Sequence, residues 1–297
     1  MKAIAVLFVS LLAVAPVLTE AQDALTSPRQ VFNGEISSGS WLRVRNLKGD
    51  IEVRETSGRA AVVTARPGKD GRSMEGVRFE VKRDGGSVTV CAIYPRTSRC
   101  DAEGYDYNWR RGDNELGAVN FTVELPRGVK LVAASGNGDV SVRGAGAEVY
   151  ASSGNGEVSV LGANGRVSAS TGNGDVHVSE ARGDVKASSG NGDITVGTTA
   201  GPVSASTGNG RIEVRMATLS VPGNMEFSTG NGSIDVSLPA NLSADIVANV
   251  PSRSFTTEFA MELPGRWTTG RIEGKIGNGG RRIRMSTGNG RVTLKKI

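Results

Sequence analysis

The chain has 297 residues, 41 of them glycine, with 5% aromatics and a formal net charge of +5. Glycine at that level, without a collagen triplet and set between Val, Ile, Thr and Ser, argues against both a conventional large core and a disordered chain and favours a β-rich repeat. The charge is too mild to suggest a dedicated nucleic-acid binder, and no segment beyond the first 21 residues reaches the roughly 18 apolar residues a membrane-spanning helix needs.

Residues 1–21 read as a secretory signal: Lys2, the apolar run Ala3 to Leu18 broken by Pro16, then Thr-Glu-Ala before Gln22. The expectation is an exported protein that is periplasmic, extracellular or envelope-associated. Residues 22–39 form a polar lead, and residues 40–297 are expected to form one β domain. Within it, SWLRVRNLKGDIEVR alternates apolar and charged residues and predicts two half-buried strands joined at Lys48-Gly49-Asp50. Further strands follow at 60–65, 77–82 and 87–93.

From Tyr94 to Gly117 the alternation stops, which predicts a long surface loop, an insertion over 94–117. Cys91 and Cys100 are the only cysteines. In an exported chain such a pair reads as a disulfide closing a short loop, and two thiols with one distant histidine are too few for a zinc site. Tyr105, Tyr107, Trp109, Arg110 and Arg111 read either as a stack for a sugar or base, or as aromatics folding back over the sheet. Arg111-Gly112-Asp113 and Arg182-Gly183-Asp184 spell a receptor-recognised tripeptide, for which a chain rich in these residues needs no special cause.

The regular part spans residues 135–214. Gly-Asn-Gly plus a polar residue returns at Gly136, Gly154, Gly172, Gly190 and Gly208, each eighteen residues on, over a weaker nine-residue echo. A fixed period marks units that bury their apolar faces only by stacking. Val140 and Val142, Val149 and Ala151, and their repeats are expected to point inward. Two strands of about five residues and two glycine turns of about four would then close each coil, with coils about 4.8 Å apart. The expected fold is an all-β, single-domain parallel β-solenoid with two short strands per coil, a β-helix or β-roll in general form.

Asn137, Asn155, Asn173, Asn191 and Asn209 should stack as an amide ladder at the corners, where glycine and asparagine tolerate left-handed backbone. Beside them Asp139, Glu157, Asp175 and Asp193 put carboxylates on successive coils before Arg211. They read as solvated turn residues or as a face for calcium, although the calcium-binding nonapeptide is not matched. His177 is the single histidine and is expected on an exposed strand face. After Val214 the repeat loosens, with a divergent loop around Pro264 to Trp267, a last Gly-Asn-Gly at Gly288 and a closing strand at Arg291 to Leu294.

VNFTVELPRGVKLVAASGNGDVSVRG, the SGNGDV and TGNGRI units and the ending GKIGNGGRRIRMSTGNGRVTL resemble a bacterial putative-adhesin family of β-strand-repeat proteins, a domain of unknown function, over about residues 41–294. The resemblance implies an exported single-domain solenoid and brings no catalytic residues. The disulfide-closed aromatic loop departs from it.

No catalytic constellation is evident, so the leading expectation is a non-enzymatic adhesin or protein-interaction scaffold, its partner a protein or a cell-surface glycan. The alternatives are a carbohydrate-active or polysaccharide-binding β-helix, and an envelope module binding polyanions through its basic end, which carries Arg271, Lys275, Arg281, Arg282, Arg284, Arg291, Lys295 and Lys296. The basic end also reads as charge protecting an open sheet edge.

Overall fold

The computed structural model describes residues 27–68, 74, 76–111, 116–198, 200–251, 254–263 and 270–297. The signal at 1–21 and the loop around Pro264 to Trp267 lie outside these residues. Among the described residues no helix is long and apolar enough to cross a membrane. Their strands form two twelve-stranded sheets and one two-stranded hairpin.

In the regular part each coil places one strand in each sheet, as in Val149–Asn155 and Val158–Ala163. Successive coils pair in parallel with like on like: Val149 opposes Val167, Asn155 opposes Asn173, and Val158 opposes Val176. The alternating apolar residues of both sheets point inward and are almost fully buried. Each such residue is too small to fill the interior by itself, so the core exists only because coils stack.

The strands of the second sheet are longer than the sequence pattern predicts. They run for seven or eight residues, because Gly and Asn of each corner stay in the parallel ladder, while those of the first sheet keep five or six. Only Gly138 and Asp139 separate Asn137 from the strand beginning at Val140.

A third inward position on the second sheet escapes hydrophobic periodicity. Ser135, Ser153, Thr171, Ser189, Thr207, Thr229 and Thr287 are all buried. Each hydroxyl donates to a corner glycine carbonyl, for example Ser153 Oγ to Gly138 O at 2.7 Å and Thr207 Oγ1 to Gly192 O at 2.9 Å. A buried carbonyl left unpaired would be costly, so the polar residue ahead of each Gly-Asn-Gly secures the corner from inside.

Coil order departs from chain order at both ends. Strands Trp41–Lys48 and Ile51–Thr56 form a coil that lies between one made by Ser87–Ile93 with Val119–Pro126 and one made by Lys130–Asn137 with Val140–Ala145. At the far end, Arg281–Asn289 and Val292–Lys296 pair with Met225–Asn231 and Ile234–Leu238 on one side, and with Ala244–Asn249 and Phe255–Thr257 on the other. The strand expected to close the solenoid is therefore interior to it. Antiparallel strands finish three of the four sheet edges: Arg29–Glu35 on Ala60–Pro67, Arg78–Asp84 on Ser87–Ile93, and Arg271–Ile276 on Ala244–Asn249. Part of the segment expected as a polar lead is thus an edge strand, with Phe32 buried beneath it.

Candidate functional site

The 94–117 segment is not a featureless loop. Thr97–Cys100 and Tyr105–Tyr107 pair as an antiparallel hairpin, and Cys100 is joined to Cys91 with an S–S distance of 2.00 Å. Tyr94 is buried and its hydroxyl donates to Lys48 O at 3.1 Å. Tyr105 donates its hydroxyl to Ala92 O at 2.8 Å and lies 2.9 Å from Thr97 Oγ1.

Two cations pin the hairpin from below. Arg45 donates Nε to Asp101 O and Nη2 to Ala102 O, both at 2.7 Å, and Lys82 Nζ donates to Cys100 O at 2.6 Å. The hairpin thereby sits on the outer face of the second sheet, over the C-terminal half of Trp41–Lys48.

Removing the disulfide by changing both Cys91 and Cys100 to Ser should cost about 2.5 kcal/mol through loop-closure entropy over nine residues. A thermal melt would register this, together with faster amide exchange confined to the hairpin. An unchanged melt would show that the sheet contacts suffice.

Burial pushes the Tyr105 phenol up to about 12. A raised phenol favours the neutral folded form. Its contribution is complete below the ordinary value near 10 and is lost as the pH climbs from there through about 12. Alkaline titration followed by tyrosinate absorbance should therefore show Tyr105 ionising near pH 12, together with loosening of the hairpin. Ionisation near pH 10 with an intact hairpin would contradict this.

Between the hairpin and the glycine-asparagine corners opens a cleft of about 860 Å³. Tyr105, Tyr107 and Trp109 line one side, with Asp106. Leu47, Lys48, Gly136, Asn137, Gly154 and Asn155 line the other. Tyr107 and Trp109 pack edge to face, their ring centroids 5.0 Å apart, while Trp109 remains 54% exposed. The glycines are needed on that floor: a Cβ at Gly154 would stand 2.4 Å from Gly136 O.

The asparagines run along this edge as a hydrogen-bonded row. Asn155 Nδ2 donates to Asn137 Oδ1 at 2.8 Å, and the pattern repeats through Asn173, Asn191 and Asn209 to Asn231 and Asn289. Each such bond uses one amide hydrogen and one oxygen lone pair, so a carboxamide in the row keeps a second of each for another partner. Periodicity marks these asparagines as corner residues. That Asn137 and Asn155 also floor a cleft follows only from where the hairpin folds.

The acidic positions take a different place, just past the corners. Asp139 Oδ1 accepts the Glu157 N–H at 2.9 Å, Asp175 Oδ1 the Asp193 N–H at 2.7 Å, and Asp193 Oδ1 the Arg211 N–H at 2.7 Å. Asp50 begins the series by accepting from Asp139 N–H at 3.0 Å. These carboxylates stitch one coil to the next. Among the described residues no three His, Cys, Asp or Glu side chains gather to hold a metal. His177 lies 3.9 Å from Glu157 on the exposed face of the first sheet. The acidic series and the aromatic cleft are not brought together, and Arg110 is outside the cleft lining although Trp109 is in it.

Solved structures similar to this chain include the following three. A putative lipid binding protein from Parabacteroides distasonis is 13% identical, with 91% of this chain and 96% of that one covered and a TM-score of 0.48. A putative adhesin from Bacteroides fragilis is 11% identical, with 91% and 97% covered and a TM-score of 0.45. A putative adhesin from Parabacteroides distasonis is 14% identical, with 92% and 98% covered and a TM-score of 0.40. No curated protein matches the chain. Residues 108–295 match the Toastrack DUF4097 domain, which takes in every coil from Lys130 onward. That match covers more than half of the sequence, and the chain belongs to the Toastrack DUF4097 family.

Proposed function

We propose that this is an exported, non-enzymatic binding protein of the cell envelope, an adhesin in the broad sense, which uses the solenoid as a rigid mount and recognises a glycan in the cleft under the hairpin. The observation that carries this reading is the lining of the cleft: an exposed Trp109 braced by Tyr107, facing the carboxamides of Asn137 and Asn155. Aromatic faces pack against the C–H faces of sugar rings, and carboxamides offer both a donor and an acceptor to hydroxyls. A ligand without hydroxyls would leave those amide groups desolvated and unpaired.

The floor suits such a task because it cannot move far. Asn137 and Asn155 belong to the row of amide bonds that runs along the stack, and Gly136 and Gly154 lie against backbone. The hairpin is fixed by the Cys91–Cys100 bond and by Arg45. A preformed site of this kind loses little conformational entropy on binding.

The test is a glycan array probed with the wild-type protein and with Trp109→Ala. Binding to a defined set of oligosaccharides, reduced at least tenfold by the substitution, supports the reading. An array on which the wild type binds nothing, or on which Trp109→Ala matches it, sinks it.

A further inference from the structure

We infer that the cleft is one end of a longer binding surface whose second subsite is the Trp41–Tyr150 pair, and that the ligand spanning the two is an acidic oligosaccharide. The inference rests on the glycan reading of the cleft and extends it to ligand length and charge.

Both subsites lie on the outer face of the second sheet. Leu42, Val44, Val149 and Ala151 point into the core, so Trp41, Arg43, Tyr150 and Ser152 point out. Tyr150 and Gly154 share the strand Val149–Asn155, four residues apart, which is about 13 Å along a strand. Gly154 floors the cleft. The ground between is low: Ser152 on that strand and Ala134 opposite it on the next carry small side chains. Arg45, in register with Ala134, is drawn under the hairpin by Asp101 and Ala102. A ligand leaving the cleft along the strand direction therefore meets nothing tall until it reaches Tyr150.

At that point it meets a second aromatic pair. The Trp41 and Tyr150 rings are 5.6 Å apart and tilted by 52°, and Tyr150 is 39% exposed. Exposed aromatics at both ends of a flat polar strip suit a chain of sugar rings better than a single ring, because each pair can hold one residue of the chain.

The charge around the second pair is unbalanced. Lys130 Nζ stands 5.2 Å from the Trp41 ring centroid and Arg43 Cζ 5.7 Å from it. One carboxylate answers them: Glu148, 3.8 Å from Lys130, which also accepts the Tyr150 hydroxyl at 3.0 Å. Asp106, the acid lining the cleft, is taken up by Arg99 at 2.9 Å. The strip thus holds two cations against one carboxylate, and the acid of the cleft is already paired, which favours a ligand bearing carboxylate or sulfate groups.

Calorimetric titration of the full-length protein with oligogalacturonates of two and six units, and with uncharged cello-oligosaccharides of the same lengths, tests this. The acidic hexamer should bind at least tenfold more tightly than the acidic dimer and than the uncharged hexamer, and added salt should narrow the second gap. Tyr150→Ala, an exposed change checked by its melting curve, should erase the hexamer's advantage over the dimer. Trp109→Ala should weaken both. If hexamer and dimer bind equally, or if Tyr150→Ala leaves the hexamer untouched while Trp109→Ala still weakens it, the second subsite is overturned and the cleft reading stands. Equal binding of charged and uncharged hexamers overturns the acidic assignment. If neither series binds, both the cleft reading and its extension fall.

Discussion

Valine at Gly174 should unfold the regular part of the solenoid or lower its stability by more than about 4 kcal/mol, and alanine there should cost somewhat less. Gly174 has φ of +140°, a conformation that L side chains rarely adopt. A Cβ at this position would also lie 2.3 Å from Gly156 O and 2.7 Å from its carbonyl carbon. The obstruction is the backbone of the preceding coil, which is held by Thr171 Oγ1 bonding Gly156 O at 2.8 Å and cannot swing aside as a long side chain can. Relief would require the two coils to part, which breaks parallel hydrogen bonds on both sheets. Gly197 supplies the control. It lies in the strand Ile194–Thr198, has no positive φ, and leaves open space for 4 Å around the point a Cβ would occupy, so Gly197→Ala should be neutral or stabilise by about 0.5 kcal/mol. Thermal melts of the three variants decide the matter: equal effects at Gly174 and Gly197 would mean that close coil contact is not what demands glycine.

Deleting residues 281–297 should do far more damage than trimming an end. Ile283, Met285, Val292 and Leu294 are fully buried, and their strands pair on both sides. Without them Met225–Asn231 and Ile234–Leu238 lose their next coil, while Ala244–Asn249 and Phe255–Thr257 lose their link to the stack. Hydrogen exchange should show protection retained up to about residue 216 and lost through the rest of the chain. If protection persisted over 244–276, that segment would be stable by itself, and the interior coil would not be its anchor.

The interior of the solenoid was legible in the sequence because its cause is local. Valine and isoleucine at every second position fix which face is buried, and the eighteen-residue return fixes which residue lies over which. What periodicity cannot convey is partnership at a distance. Ser153 and Thr171 look like ordinary polar strand residues until the corner carbonyl beneath them is known. Asp139 and Asp175 read as solvated turn carboxylates or as a face for calcium, and neither reading shows that each accepts the N–H of the next coil. The swapped coil order was hidden for the same reason: Arg281–Asn289 carries the same motif as its neighbours, and that motif specifies a slot in a stack without saying which slot. At the hairpin, sequence identified the disulfide pair and the aromatic residues. The cleft itself depends on Arg45 reaching Asp101 and Ala102, which no local pattern encodes.

The interior position of the last coil also bears on force. A load applied at residue 297 enters through Val292–Lys296, a strand flanked by Ile234–Leu238 and Phe255–Thr257. It cannot peel that strand away like the outer turn of a spring, because neighbours on both sides must release together. A load applied at Arg29 meets an edge strand with one neighbour, Ala60–Pro67. The strands at Arg29 and at residue 297 therefore differ in mechanical strength, and a tether through residue 297 would hold under tension that strips Arg29–Glu35.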